Sequence, residues 1–184
     1  MISNKVKTSI EEQELTNRVR EGDFEAFRVL FERYRLVVYR FCNLMINDHA
    51  AAEDIYQETF IVFYDACCKG EKIRNVQSYL ITVARNRCLN LLRDRQRKVS
   101  LEEDSLAPLR YEPDLNKVDM NEILRSALLK IPEQYRESFL LFELEGYTYA
   151  EIAEYCNVDL GTVRNRIYRA KQSLKKILKP IMDN

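Results

Sequence analysis

The sequence predicts an all-α protein of two small helical domains, joined by a flexible acidic linker, with a helix-turn-helix as the second domain. Three observations carry that expectation. Glycine and proline number four each in 184 residues, well under the roughly 12% of an average chain. So few breakers leave little room for hairpins. Apolar residues recur at helical steps of three and four along most of the chain. Charge balances at 29 basic against 29 acidic residues, yet it is segregated. Residues 85–98 hold six basic side chains against Asp94 alone, and residues 161–179 hold seven and no acid. Residues 99–122 between them carry seven acids against two bases. Two basic helices flanking an acidic connector are a nucleic-acid footprint that the zero net charge conceals.

The first domain is expected over residues 1–98. After Gly22 and Asp23, Phe27, Phe31, Tyr34, Val38 and Phe41 form one apolar stripe, with Glu25, Arg28, Glu32 and Arg35 largely off it. A second helix over residues 50–68 repeats the pattern through Tyr56, Phe60, Phe63 and Cys67. Gly70 is expected to stop it, and Ser78 to cap a third helix whose apolar side runs Leu80, Ala84, Cys88, Leu91. Each stripe needs partners, so residues 10–98 read as a compact bundle.

Residues 99–121 lose the period, contain Pro108 and Pro113, and are too few to hold a core, so they read as a linker. Periodicity resumes at Ile123, opening a second helical domain over residues 122–184. Pro132 fits the first turn of a helix ending near Gly146. Thr148 and Glu151 form a capping box for a short helix with Tyr149, Ile152, Ala153 and Cys156 inward. Asn157 ends that helix, and Asp159 caps the next. The last helix buries Val163, Ile167, Ala170 and Leu174, which leaves Arg164, Asn165, Tyr168, Arg169 and Lys171 outward. Two helices joined by a three- to four-residue turn, the second rich in arginine, make a helix-turn-helix. Its chemistry fits DNA: arginine pairs bidentately with guanine, and asparagine with adenine.

Other functions find little support. No two glycines stand in a G-x-G pair, which excludes dinucleotide and P-loop sites. One His and five Cys without C-x-x-C spacing make no zinc set, so no metal and no cofactor are expected. No nucleophile stands beside a base, so no catalytic residues and no enzyme activity are expected. The cysteines (42, 67, 68, 88, 156) read as buried small hydrophobes in a reducing cytoplasm, with the adjacent Cys67 and Cys68 as a redox alternative. The N-terminus lacks an apolar signal region, and the longest apolar run, residues 60–64, is too short to insert in a membrane.

Two long stretches carry a resemblance. AAEDIYQETFIVFYDA followed by SYLITVARNRCLNLLRDRQRK, and later IPEQYRESFLLFELEGYTYAEIAEYCNVDLGTVRNRIYRAKQSL, resemble the bacterial extracytoplasmic-function (group IV) RNA polymerase sigma factors. They stand in the family's order and the resemblance spans residues from about 20 to 180. It implies a non-enzymatic subunit that binds core RNA polymerase, through the beta-prime clamp helices and the beta flap, and directs it to promoter DNA. Transcription initiation at a small regulon follows. Such a protein is monomeric when free and is held inactive by an anti-sigma factor. The residues alone leave a second reading, a helix-turn-helix regulator with an N-terminal dimerisation or sensing bundle.

By position, the resemblance places Thr162, Arg164, Asn165, Tyr168, Arg169 and Lys171 at the promoter −35 element, where Arg164, Asn165, Tyr168 and Arg169 would read the major groove and Lys171, Lys175 and Lys176 would hold phosphate. It places Lys72, Arg74, Asn75, Arg85, Asn86, Asn90 and Arg93 at the −10 element, with residues 69–75 as a loop that captures a displaced base. Glu53, Asp54, Gln57 and Glu58 would dock on core polymerase; without the family they read as an exposed acidic patch. Three positions depart from the family's habit. Asn90 stands where many relatives have Asp, Arg87 where an apolar residue is commoner, and Tyr64 where Trp is frequent. In the linker, Glu102, Glu103 and Asp104 either mimic RNA phosphates in the polymerase channel or belong to a plain solvated tether.

Overall fold

The computed structural model describes residues 2–101 and 120–182, and the linker carboxylates Glu102, Glu103 and Asp104 lie outside them. Eight α-helices and no strand occur among the described residues: α1 (Ile2–Arg20), α2 (Phe24–Met45), α3 (His49–Cys68), α4 (Val76–Leu101), α5 (Met120–Leu129), α6 (Glu133–Glu143), α7 (Tyr149–Cys156) and α8 (Leu160–Met182). They fall into two compact units, Met1–Gln96 and Arg97–Asn184.

In the first unit α1 packs on α2 and α3, and α2 packs along α3. The core is largely apolar, with Leu30, Phe41, Met45, Ile46, Phe63, Leu80 and Ile81 fully buried. Asp23 and Asp48 accept from the amides of Ala26 and Ala51, both at 3.1 Å, and so start α2 and α3. Their side chains are also clamped by arginines, Asp23 by Arg18 at 2.6 Å and Asp48 by Arg95 at 2.7 Å.

Four details depart from the sequence reading. α1 is a full helix, and its buried face at 12, 15, 16 and 19 mixes Leu15 and Val19 with Glu12 and Thr16. Helical spacing is present there, but the apolar signal is diluted by half. The buried stripe of α2 begins at Ala26 and Leu30, not at Phe27 and Phe31, which stay half-exposed. At this end of α2 the small and aliphatic Ala26 and Leu30 fill the seam, and the rings of Phe27 and Phe31 lie at its edge against Phe63, Tyr64 and Phe60 of α3. α4 begins at Val76, two residues before Ser78, because the Asn75 side chain accepts from the Ser78 amide at 2.7 Å. It also runs on to Leu101, past the expected start of the linker at 99.

In the second unit α6 and α7 pack against α8, with Leu140, Leu141, Ile152, Val163, Ile167 and Ala170 buried. Pro132 sits at the N-cap of α6, one position before the helix, with no side-chain hydrogen bond of its own. Arg136 is buried, and its Nη1 donates to the carbonyls of Leu128 and Leu129 at 3.5 and 3.2 Å, closing the end of α5. Of the cysteines, Cys42, Cys67 and Cys88 are buried, Cys156 is half-buried, and Cys68 is exposed rather than buried as expected. Burial pushes the Cys67 thiol up to about 12, which disfavours a thiolate there. None of the described helices is long and apolar enough to cross a membrane.

Candidate nucleic-acid interface

The helix-turn-helix is built by local signals. The Thr148 hydroxyl accepts from the Glu151 amide at 3.2 Å while the Thr148 amide donates to Glu151 Oε2 at 2.7 Å. This closed capping box starts α7. Asn157 ends it in the left-handed region, at φ 53°, a conformation that asparagine tolerates better than most residues. Asp159 then caps α8, accepting from the Thr162 amide at 2.8 Å and the Thr162 hydroxyl at 2.6 Å. Those two donors, the hydroxyl first, hold the Asp159 carboxyl below its ordinary value of 3.8.

On α8 the buried stripe is Val163, Ile167, Ala170 and Leu174, and Arg164, Asn165, Tyr168, Arg169, Lys175 and Lys176 are exposed. Tyr168 is 61% exposed, a large ring with no core role. Arg169 Nε donates to Asn165 Oδ1 at 3.1 Å, so these two present a joined polar surface one turn apart. Two residues expected in the same set are engaged otherwise. The Thr162 hydroxyl belongs to the cap of α8, and Lys171 is held by α6. Its Nζ lies 2.7 Å from Glu143 and 5.2 Å from the centre of the Phe142 ring.

The basic stretch of the first unit divides into a loop and a helix face. Lys72 and Arg74 are exposed on the loop before α4, whereas Ile73 between them is buried and anchors it. Asn75 is exposed, with its side-chain oxygen serving as the cap of α4. Asn86, Asn90 and Arg93 are exposed on one face of α4, and half-buried Arg85 donates to Asn86 Oδ1 at 3.2 Å. Asn86 stands ten residues into α4, about 15 Å along the axis from the loop. The two groups therefore lie at separate points along the first unit.

Glu53, Asp54, Gln57 and Glu58 are all exposed on α3. Glu58 is paired with Arg87 of α4, which answers why a charge stands there: Arg87 lies at the edge of the helix interface, not in the core. A cleft of roughly 590 Å³ lies beside this patch, walled by Phe24, Phe27 and Phe31 of α2 and by Tyr56, Phe60 and Tyr64 of α3. Gln57 and Ile61 line it too. Tyr64 meets Phe27 edge-on at 5.2 Å, so it serves as an aromatic wedge between α2 and α3. The sequence reading missed this cleft. Its one available signal was the surplus of aromatics on α2 beyond what a single buried stripe can accept.

Residues 30–98 match the family Sigma-70 region 2, and residues 121–174 match Sigma-70, region 4. The chain is 32% identical over 185 residues to the ECF RNA polymerase sigma-E factor of Haemophilus influenzae, covering 93% of this chain and 97% of that one. This chain belongs to the extracytoplasmic-function RNA polymerase sigma factors. The sigma factor is also 28% identical to SigM of Bacillus subtilis, over 80% of its own length and 92% of the relative's. Its fold is similar to that of the sigma factor RpoE from Bartonella quintana, solved in complex with the anti-sigma factor NepR, with a TM-score of 0.66. That match has 24% sequence identity and covers 83% of this chain and 96% of that one. As a sigma factor it acts in transcription initiation, and the reading as a regulator with a sensing bundle gives way.

Proposed function

We propose that this sigma factor binds core RNA polymerase through α3, reads the promoter −10 element with the first unit and the −35 element with α8, and makes no covalent bonds itself. The first domain ends with α4, the linker follows it, and the second domain opens with α5 at Met120 rather than at 122. One observation carries the −35 assignment: the face of α8 opposite its buried stripe is an uninterrupted set of Arg164, Asn165, Tyr168 and Arg169. Those are the side-chain types that read base edges, on the second helix of a helix-turn-helix. Lys175 and Lys176, further along, fit phosphate contacts. Lys171 is better placed to brace α8 against α6 than to reach DNA.

For the −10 element, the loop cations Lys72 and Arg74 and the helix face Asn86, Asn90 and Arg93 fit a displaced strand. Core docking falls to Glu53, Asp54 and Gln57, with Glu58 contributing less because Arg87 already neutralises it. The protein would work in the cytoplasm as a monomer when free. An anti-sigma factor is a fitting partner, since the structural neighbour from Bartonella quintana was solved with one.

Photo-crosslinking tests the assignment. A photoreactive residue at position 164 should label promoter DNA at −35, and one at position 86 at −10, each only when core polymerase is present. Exchanged positions, or labelling that ignores core, would sink it.

A further inference from the structure

Glu12 is buried in the first unit, 6% exposed, on a helix that lies before the stretch matching Sigma-70 region 2. Its carboxylate joins three elements. One oxygen accepts from the Tyr34 hydroxyl of α2, and the other accepts from the Val76 amide, the first residue of α4, at 3.4 Å. Tyr34 is pushed well above the ordinary phenol value by burial and then by Glu12, so it stays a hydroxyl donor. Burying a carboxylate is costly unless donors surround it, so this one is held for what it binds. It also sits where the N-terminus of α4 favours negative charge.

What this holds is the loop 69–75. The loop leaves α3 through a closed backbone motif: the Gly70 amide donates to Cys67 and the Glu71 amide to Ala66, both at 3.0 Å, with Gly70 at φ 73°. Ile73 is buried beneath it, and it enters α4 at Asn75 and Val76. Arg20 of α1 lies alongside the other end, where a Cβ placed on Gly70 would meet its Cδ at 3.4 Å. α1 thus borders the loop at Gly70 and holds it at Val76 through Glu12.

We propose that Glu12 is a positioning residue for promoter melting: by fixing the start of α4 against α2, it holds Lys72 and Arg74 where a displaced −10 base is captured. The inference rests on the −10 assignment made above. A loop held in place before binding need not be ordered during it, which lowers the cost of capture.

The test compares full-length variants, reconstituted with core polymerase, on a duplex promoter and on the same promoter already unpaired at −10. Glu12→Leu keeps the site filled but leaves the Val76 amide and Tyr34 hydroxyl without their acceptor. It should slow open-complex formation on the duplex about tenfold relative to the unpaired template, with core affinity unchanged. Glu12→Gln should rescue most of this, since a carboxamide can accept from Val76 and donate to Tyr34. If Glu12→Leu does not fold, Tyr34→Phe reports instead, with an expected change of about threefold in the same ratio. A wild-type ratio in the folded variant, or a loss that follows core affinity, overturns the proposal. Lys72→Ala with Arg74→Ala separates the two levels. If that pair lowers the ratio and the Glu12 variant does not, the positioning role alone fails; if the pair is silent, the −10 assignment fails and takes the positioning role with it.

Discussion

Three cations on α8 should behave as three different residues, although the sequence presents them as one basic run. Arg164 is exposed on the face away from the core, so on the proposed −35 assignment Arg164→Ala would remove a base contact. The expected cost is about 1–3 kcal/mol, confined to one −35 base pair. Lys175 lies exposed three turns further along, where the proposed contact is with phosphate. Lys175→Ala should weaken binding evenly across sequences and reduce the salt slope by about 0.9. Lys171 pairs with Glu143 at 2.7 Å and lies over Phe142 at 5.2 Å, both on α6. The pair is partly exposed, with side-chain exposures of 48% and 38%, so screening limits it to less than about 1 kcal/mol. The ring contact adds about 0.5 kcal/mol more at such a site. Lys171→Ala should therefore cost about 1 kcal/mol of stability in the second unit, or about 4–8 °C in its melting temperature, and leave base preference intact. Transcription from a −35 base-substitution panel at several salt concentrations, with thermal melts of each variant, separates the three. A Lys171→Ala protein that changes preference at a single base without shifting the melt, or an Arg164→Ala protein that weakens all promoters equally, would reverse these assignments.

Thr148→Ala opens the capping box of α7 and should destabilise the second unit by about 0.5–2 kcal/mol in urea unfolding. The Asp159 carboxyl is held below its ordinary value, so its cap stabilises α8 fully above that value and is lost as pH falls through the lowered one. Acid titration of the second unit's stability should show a loss below about pH 4 that Asp159→Asn flattens. Phe63 is fully buried, so Phe63→Ala should cost about 3–5 kcal/mol in the first unit, read from its denaturation midpoint. Asp54→Ala with Gln57→Ala should weaken co-purification with core at unchanged melting, whereas Glu58→Ala should matter less because Arg87 already holds that carboxylate.

What was legible in the sequence was what short-range chemistry determines. Thr148 with Glu151, Asn157 and Asp159 marked the ends of α7 and α8 because each cap is made within three or four residues of itself. The buried stripe of α8 followed from spacing alone, and with it the outward set at Arg164, Asn165, Tyr168 and Arg169. What was not legible depends on partners distant along the chain. The buried face of α1 includes Glu12, whose acceptors' partners are Tyr34 and Val76, 22 and 64 residues away. Phe27 and Phe31 have helical spacing but are displaced from the stripe by how α3 lies against α2. Arg136 reads as a surface charge until the end of α5 is brought to it. The resemblance puts Thr162 and Lys171 at the −35 element, and only the folded structure shows that they also pair with Asp159 and Glu143.

Run-off transcription of fragmented genomic DNA, with purified core polymerase and this protein each present or absent, asks whether initiation at chosen promoters needs both. Discrete new start sites that need both components, sharing −10 and −35 sequences on alignment, are the expected result. Tight duplex binding by the free protein at a palindromic site, with no core-dependent initiation, would contradict it.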